Sequence, residues 1–145
     1  MGVLSAGIIS KLPTAVKVLD KLACTQEMGK GVMAMQDMLR HNAKDLWSHG
    51  KKGHFHNIIK HWNDHKNDFP HLKTEYEYVK ATWNFLTNPP AGTLTKTAKG
   101  NGNTLKFHPD SRVFGVIEKN TGLPTSMFKL DPFKGKSPLE RFNDM

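Results

Sequence analysis

The sequence has little cysteine and no long apolar segment, and each absence excludes a class of protein. Cys24 is the single cysteine among 145 residues, so the chain forms no intrachain disulfide and no cysteine-rich zinc module. No run approaches the roughly 18 apolar residues that a membrane-spanning helix needs. Residues 1–23 are mildly apolar, but charges interrupt them and they lack the basic-then-apolar order of a secretory signal. We therefore expect no disulfide-stapled scaffold and no stable membrane insertion.

Acidic residues are also scarce relative to basic ones. The chain carries 21 Lys and Arg against 13 Asp and Glu, a formal charge of +8. Hydrophobic residues make up 37% of the sequence, enough to bury a core. The length fits one compact domain, or a small domain with an attached segment. The basic balance favours a polyanionic partner, either a nucleic acid or an acidic protein.

The hydrophobic pattern divides the chain into helices followed by strands. Apolar residues recur at helical spacing within residues 1–50, within the segment that Pro70 ends, and over Lys73–Leu86. After Gly92 the period changes to two, and the segment from Asp131 onward has no period and indicates an irregular tail. We expect an α+β fold with N-terminal helices packed on a curved antiparallel sheet of about four to five strands. The strands are expected at Thr93–Ala98, Thr104–His108, Val113–Glu118 and Thr125–Leu130.

Histidines are the first candidates for chemistry. His61 and His65 lie one helical turn apart and share a helix face. The spacing H-x-x-x-H suits zinc, but Trp62 occupies the position of the glutamate in H-E-x-x-H. Imidazoles also transfer protons near neutral pH. The sequence leaves three interpretations open for this pair: a metal site, an acid–base site, and ordinary surface or capping histidines.

The last strand carries the second group of candidates. In Thr125–Lys129, alternation places Ser126 and Phe128 on one face and Thr125, Met127 and Lys129 on the other. A hydroxyl and a lysine beside a phosphate bind it and offset its developing charge. Taken alone, the segment is more typical of an ordinary strand with a surface lysine. No G-x-S-x-G, Walker loop or G-x-G-x-x-G motif occurs.

The order of these motifs resembles a known family. The stretch H-x-x-x-H-x-x-D-F-P is followed by N-G-N-T-L-K-F, F-G-V and P-T-S-M-F-K. This order resembles the colicin D-type ribonucleases of the barnase–EndoU–colicin–RelE fold group, and more specifically the C-terminal toxin domains of contact-dependent growth inhibition (CdiA-type) proteins. The resemblance covers roughly residues 51–133. Trp62 and Asp64 stand where colicin D has lysines beside its histidine.

The resemblance implies a metal-independent endoribonuclease that cleaves transfer RNA, needs no cofactor and leaves a 2′,3′-cyclic phosphate. His65 falls at the catalytic histidine, and His61 gives the double-histidine form of related toxins. Ser126 and Phe128 fall where the family has a serine and, two residues on, an aromatic. The expected catalytic set is therefore His65, His61, Ser126, Thr125 and Lys129, and the expected RNA- or phosphate-binding set is Lys106, Lys60, Lys66 and Phe128.

The resemblance also implies a biological setting. Residues 1–50 are expected to form a helical segment for delivery or extra helices, and residues 51–145 the ribonuclease toxin domain. The implied partners are tRNA, a cognate immunity protein (CdiI-type) and elongation factor Tu. The implied location is a secreted or cell-surface effector that enters the cytosol of target bacteria. Two other classes stay open, a metal-dependent nuclease using the histidine cluster and a non-catalytic basic binding module. Messenger or ribosomal RNA is the alternative substrate.

Overall fold

A computed structural model confirms the α+β class, with helices preceding a four-stranded antiparallel sheet. It describes the backbone of residues 6–27 and 32–145, and the side chains of residues 14–24 and 35–145. A 3₁₀ turn at Lys66–Asp68 follows the third helix. The helices are α1 (Ala6–Glu27), α2 (Val32–Leu46), α3 (His54–His65), α4 (Glu75–Thr87) and α5 (Pro138–Asp144), and the strands are β1 (Leu94–Thr97), β2 (Thr104–His108), β3 (Val113–Ile117) and β4 (Pro124–Lys129).

The segment after β4 corrects the prediction of an irregular tail, because Pro138–Asp144 forms α5. The Ser137 hydroxyl accepts the Glu140 N–H at 3.1 Å, and the Glu140 carboxylate accepts the Ser137 N–H at 2.8 Å. This is a capping box with Pro138 in the first helical turn. The helix buries Phe142 against Phe107 of β2, with ring centroids 5.3 Å apart. These local bonds start the helix, and the buried ring holds it on the sheet.

The strands form a meander in which chain neighbours pair, in the order β1-β2-β3-β4. On one face, Phe107, Phe114 and Phe128 lie opposite one another across β2, β3 and β4. On the other face, Lys106, Gly115 and Met127 form the corresponding row. Paired residues of an antiparallel sheet share a face, so this register decides which predicted site residues can meet.

One irregularity interrupts the pairing of β4 with β3. Ser126 pairs with Val116 and Pro124 pairs with Ile117, so Thr125 has no partner residue on β3. Two residues of β4 therefore oppose one of β3, which is the arrangement of a β-bulge. As a result, Pro124 lies on the same face of the sheet as Gly115. Ser126, on the other side of the bulge, shares the opposite face with Phe128.

A different helix packs on each face of the sheet. Helix α4 covers the face of Gly115, where an added Cβ would lie 2.9 Å from a methyl group of Leu86. Such a distance is too short for a side chain, so the glycine permits the close packing of α4 on β3. Helix α5 covers the opposite face through Phe142, which also lies 6.4 Å from Phe114.

Residues before position 50 share a core with the helices that follow. Leu39 and Leu46 of α2 and Trp47 are fully buried, in one cluster with Ile58 of α3. The indole N–H of Trp83 in α4 donates to the Leu46 carbonyl at 2.9 Å. The predicted division of function at residue 50 stays a prediction, but packing joins the two sides of that boundary.

A fragment of residues 51–145 should therefore not fold cooperatively. It lacks Leu39, Leu46 and Trp47, and removing even one large buried apolar side chain costs about 2–5 kcal/mol, against a total stability of about 5–15 kcal/mol. Circular dichroism during thermal unfolding of the fragment and the full chain is the measurement. In the full chain, Leu39→Ala should lower the melting temperature and Lys44→Ala, at an exposed position of α2, should not. A cooperative transition in the fragment would refute this expectation.

Candidate active site

Helix α3 runs alongside β4 in the same direction, and bonds at both ends fix this alignment. Near the start of α3, the Asn57 amide donates to the Ser48 carbonyl at 3.1 Å, and the Ser48 N–H donates to the Pro124 carbonyl at 2.9 Å. Beyond its end, the Asp68 carboxylate accepts the Lys129 N–H at 3.0 Å. The first residue of β4 is thus tied to the beginning of α3 and the last residue to its end.

This alignment brings three of the sequence-predicted site residues into contact. The imidazole of His65 lies between the ring of Phe128, 4.7 Å away, and the ring of His61, 5.6 Å away. The planes are inclined by only 23° and 28°, so the three rings form a stack. The structure therefore brings the histidine face of α3 and the last strand together, and the functional role of these residues stays a prediction.

Ser126 lies at the level of His61 in this arrangement. One helical turn of four residues rises about 6 Å, and two residues of a strand rise about 6.6 Å. Because His65 is opposite Phe128 and the two elements run in the same direction, His61 comes opposite Ser126. The serine shares a face of β4 with Phe128 and is 93% buried, its exposed fraction being 7%.

The buried polar atoms that lack a partner all belong to this region. Among the residues that the structure describes, there are three: Trp47 Nε1, His61 Nδ1 and Ser126 Oγ. The rings of Trp47 and His61 are 6.3 Å apart. An unpartnered buried polar group costs about 1–3 kcal/mol, and such groups are rare in folded proteins. Two of the three atoms therefore belong to rings in contact with each other, and one of those rings, His61, stacks on His65.

Burial keeps both imidazoles neutral near pH 7. It lowers the pKa of His61 from 6.5 to about 4, with further lowering by the charges of His65 and Lys60 and an opposing effect of Asp64. Burial also lowers the pKa of His65, and the carboxylates of Asp64 and Asp68 oppose that effect. A neutral imidazole has a free lone pair, so His65 is in the state that a general base requires.

The ring of His65 is also open to a reactant. Neither ring nitrogen makes a hydrogen bond to a described residue. Neither is one of the buried atoms without a partner in that part of the chain, so both nitrogens are accessible. The ring faces are covered by His61 and Phe128, which leaves the edge with the nitrogens exposed. Stacking therefore orients the imidazole without occupying the atoms that exchange protons.

The lysines predicted for the site fall into two groups. Two lie on or just after α3, and two lie on the face of the sheet that α4 covers. Lys60 lies beside the histidines on α3 and pairs with Asp64 at 2.9 Å, and Lys66 is exposed just past His65. Lys106 is buried on the face that α4 covers, opposite to Phe128, and burial lowers its pKa. Lys129 pairs with Val113 and shares that α4 face. The structure thus brings Lys60 and Lys66 near His65, and its register places Lys106 and Lys129 on the far face from Ser126.

Tyr78 supports the site and was not among the residues that the sequence singled out. Its hydroxyl donates to the Met127 carbonyl at 2.6 Å and accepts the Met127 N–H at 3.1 Å, and burial raises its pKa. Met127 lies between Ser126 and Phe128, so this pair of bonds sets the position of both. The alternating tyrosines of E-Y-E-Y gave no signal for the role, because 49 residues separate the partners. Trp47 was missed for the same reason.

The structure also bears on a metal site and on membrane-spanning helices. No group of three His, Cys, Asp or Glu side chains placed to ligate a metal occurs within the described part of the chain. None of the helices seen in residues 6–27 and 32–145 combines the length and the apolar character that crossing a bilayer demands.

The Tyr78→Phe substitution should destabilise the protein by about 1–3 kcal/mol, because it leaves the buried N–H and carbonyl of Met127 without partners. Tyr76→Phe is the matched control on the same helix. The Tyr76 hydroxyl makes one long bond, 3.4 Å, to the Leu19 carbonyl, so its loss should cost less. Urea unfolding of both variants compares the two free energies. An equal cost would contradict the assigned role of Tyr78.

The depressed pKa of His61 predicts acid sensitivity. Between pH 6.5 and about 4 the unfolded chain binds a proton at this residue and the folded chain does not, so the free energy of unfolding falls as the pH falls through this range. His61→Leu should reduce the fall, whereas His56→Leu, at an exposed position on the same helix, should leave it unchanged. Melting temperatures across this pH range provide the measurement, and identical pH profiles for wild type and His61→Leu would contradict it.

Comparison with known proteins does not assign the chain to a family. No family model matches it, and no curated protein gives a significant match. Its function is therefore inferred from the geometry around His65 and from the motifs that carry the resemblance.

Proposed function

We propose that this chain is an antibacterial toxin domain with metal-independent endoribonuclease activity, and that it cleaves tRNA in the cytosol of a target cell. The observation that carries the proposal is the stack of His61, His65 and Phe128, in which a neutral imidazole has open nitrogens. An aromatic ring, a hydroxyl and two nearby lysines accompany it. These groups suit the cleavage of RNA through its own 2′-hydroxyl.

In this mechanism His65 removes the proton of a ribose 2′-hydroxyl, and the oxygen attacks the adjacent phosphorus. The new O2′–P bond closes a 2′,3′-cyclic phosphate as the P–O5′ bond breaks. The proton held by His65 then passes to the leaving 5′ oxygen, which leaves a 5′-hydroxyl. The neighbouring carboxylates of Asp64 and Asp68 stabilise the imidazolium between the two steps, since both raise the pKa of His65.

The surroundings of His65 supply the remaining requirements. The Ser126 hydroxyl is buried without a partner of its own, and it donates to a phosphoryl oxygen once bound RNA displaces the side chains that cover it. Lys60 and Lys66 place positive charge beside the ring, and the excess of basic residues attracts the RNA backbone. His61 packs against one face of His65 and acts as its positioning residue. Phe128 holds the other face, and the exposed part of its partly buried ring also offers a surface on which a base stacks.

The remaining elements of the proposal follow the sequence resemblance. A cognate immunity protein with an acidic surface would cover the basic face and block the RNA from His65. Elongation factor Tu is a candidate host partner that presents the tRNA. Residues 1–50 combine a role in delivery with the core packing described above. Expression in bacterial cytosol, with and without the neighbouring gene, tests the toxin and its immunity partner together.

Substitution of His65 by alanine should abolish RNA cleavage, with a loss of activity of about 100-fold or more. The fold should persist, because the imidazole makes no hydrogen bond to a described residue. His56→Ala, at an exposed position of the same helix, is the matched control and should retain wild-type activity. Ser126→Ala should lower the rate by a smaller factor, since the lysines remain. Gel analysis of total tRNA incubated with each purified variant gives the comparison.

The chemistry of the ends separates this mechanism from a metal-dependent one. Cleavage should persist in excess chelator and leave 2′,3′-cyclic phosphate and 5′-hydroxyl ends. Loss of activity on chelation, with 3′-hydroxyl ends, would replace the mechanism with metal-assisted hydrolysis. Full activity in His65→Ala would remove this residue from the site, and the absence of cleavage by the wild type, with elongation factor Tu present, would overturn the proposed activity.

A further inference from the structure

A second surface, outside the His65 site, combines an exposed aromatic ring with positive charge. The segment Phe133–Lys136 forms a tight hairpin in which the first and last residues exchange both backbone hydrogen bonds at 3.0 Å. Arg141 of α5 lies beside it, and together these residues border a cavity of about 350 Å³. We call Phe133, Lys134, Lys136 and Arg141 the Phe133 surface.

The ring of Phe133 is unusually exposed for an aromatic residue. Its exposed fraction is 57%, above that of every other large apolar side chain in the described part of the protein. The Lys134 ammonium lies 5.3 Å and the Arg141 guanidinium 5.5 Å from the ring centroid. Both cations lie over the ring near the outer limit of a cation–π contact, and the high exposure of the side chain leaves ring surface accessible to another planar group.

The hairpin holds this arrangement at a conformational cost. Lys134 and Gly135 both have positive φ, 53° and 79°, as the central residues of a two-residue turn of this type require. Lysine is a poor choice at such a position, where Asn or Gly is favoured. Local folding therefore does not explain the side chain at position 134, whereas a role for its charge does.

The charge of the surface selects an anionic partner. Three cations, Lys134, Lys136 and Arg141, face one carboxylate at the cavity, that of Asp144, which pairs with Lys136. The Arg141 guanidinium also donates to the Asp131 carbonyl at 2.6 Å. Lys134 and Arg141 have no carboxylate partner among the described residues, and an exposed ring flanked by such cations is the combination with which proteins bind single-stranded nucleic acid, through base stacking and phosphate contacts.

The position of the surface connects it to the His65 site. Phe133 follows the end of β4, and Arg141 is carried by α5, whose Phe142 lies on the same sheet face as Phe128. Phe114 joins the two places, because it contacts Phe128 at 5.2 Å and Phe142 at 6.4 Å. Phe128 of the His65 site and the α5 helix of the Phe133 surface therefore lie on the same side of the sheet.

We propose that the Phe133 surface is a second RNA-binding subsite, which stacks an unpaired base on Phe133 and holds a flanking phosphate with Lys134. The proposal rests on RNA being the substrate of the His65 site. Its effect is to strengthen binding of single-stranded segments, such as a tRNA loop, while the reaction takes place at His65.

The test measures binding of a fluorescein-labelled single-stranded 2′-O-methyl RNA of about 12 nucleotides to the full chain by fluorescence anisotropy. This RNA has no free 2′-hydroxyl, so it binds without being cleaved. Phe133→Ala should weaken binding by about five- to 150-fold, the range expected for loss of one stacked base. Leu139→Ala is the matched control, because Leu139 is 41% exposed on α5 and does not border the cavity. It should bind as the wild type does.

Lys134→Asn separates binding from folding. Asparagine suits the left-handed backbone at this position better than lysine, so the variant should melt at the same or a higher temperature. It should nevertheless lower the salt dependence of binding, reducing the slope of log K against log salt concentration by about 0.7, the value for one phosphate contact on a single strand. An unchanged slope, or equal affinities of Phe133→Ala and Leu139→Ala, would overturn the subsite.

This design keeps the failure of the subsite distinct from the failure of the proposed activity. Weakened binding by Phe133→Ala supports the subsite even if the wild type cuts no RNA. Cleavage of tRNA with an unchanged KM in Phe133→Ala refutes the subsite and leaves the activity in place. A wild type that binds no single-stranded RNA also refutes it, and directs the search for the occupant of this surface toward an acidic protein.

Discussion

The candidate site depends on how the outer edge of the sheet is satisfied. Strand β4 is an edge strand, so half of its backbone groups have no neighbouring strand with which to bond. The Tyr78 hydroxyl bonds both backbone groups of Met127, and the Asp68 carboxylate accepts the N–H of Lys129. Helices thus take the place of a fifth strand. Because the Asp68 bond also ties the end of α3 to the end of β4, the stack of His65 on Phe128 follows from the closing of this edge. The edge is at once protected from pairing with another chain and placed beside the histidines of α3.

Much of the fold is visible in local sequence patterns. The period-two segments and the turn residues around Asn101 and Gly102 placed β2 at its observed bounds, and the apolar stripe of Lys73–Leu86 placed α4. The tail was different. Its Pro and Gly content suggested irregular chain and masked the capping signal S-P-L-E at Ser137, which alone defines a helix start. A seven-residue helix is too short for periodicity to reveal, and it forms because Phe142 finds a buried place on the sheet.

The candidate site was less visible than the fold, and the reason is the distance along the chain between its parts. His61 and His65 could be paired from helical spacing alone, and alternation placed Ser126 and Phe128 on one face. The sequence does not show strand register, which decides that Lys106 faces α4 and not the stack. Nor does it show contacts such as that of Trp47 with His61, which form only when α2 and α3 pack together. Titration behaviour is equally hidden, because the low pKa of His61 comes mainly from burial.

The bulge at Thr125 gives the length of β4 an importance that its composition does not have. With Pro124 opposite Ile117 and Ser126 opposite Val116, Thr125 is the one residue between them without a partner on β3. Removing Thr125 would therefore leave the other pairs in place, and Ser126 and Phe128 would keep the face that they share. Removing Met127 instead, with the pairs before it kept, would bring Phe128 opposite Gly115, on the side that α4 covers. A change in the length of this strand is therefore absorbed at the bulge, whereas beyond the bulge it separates Phe128 from the histidines.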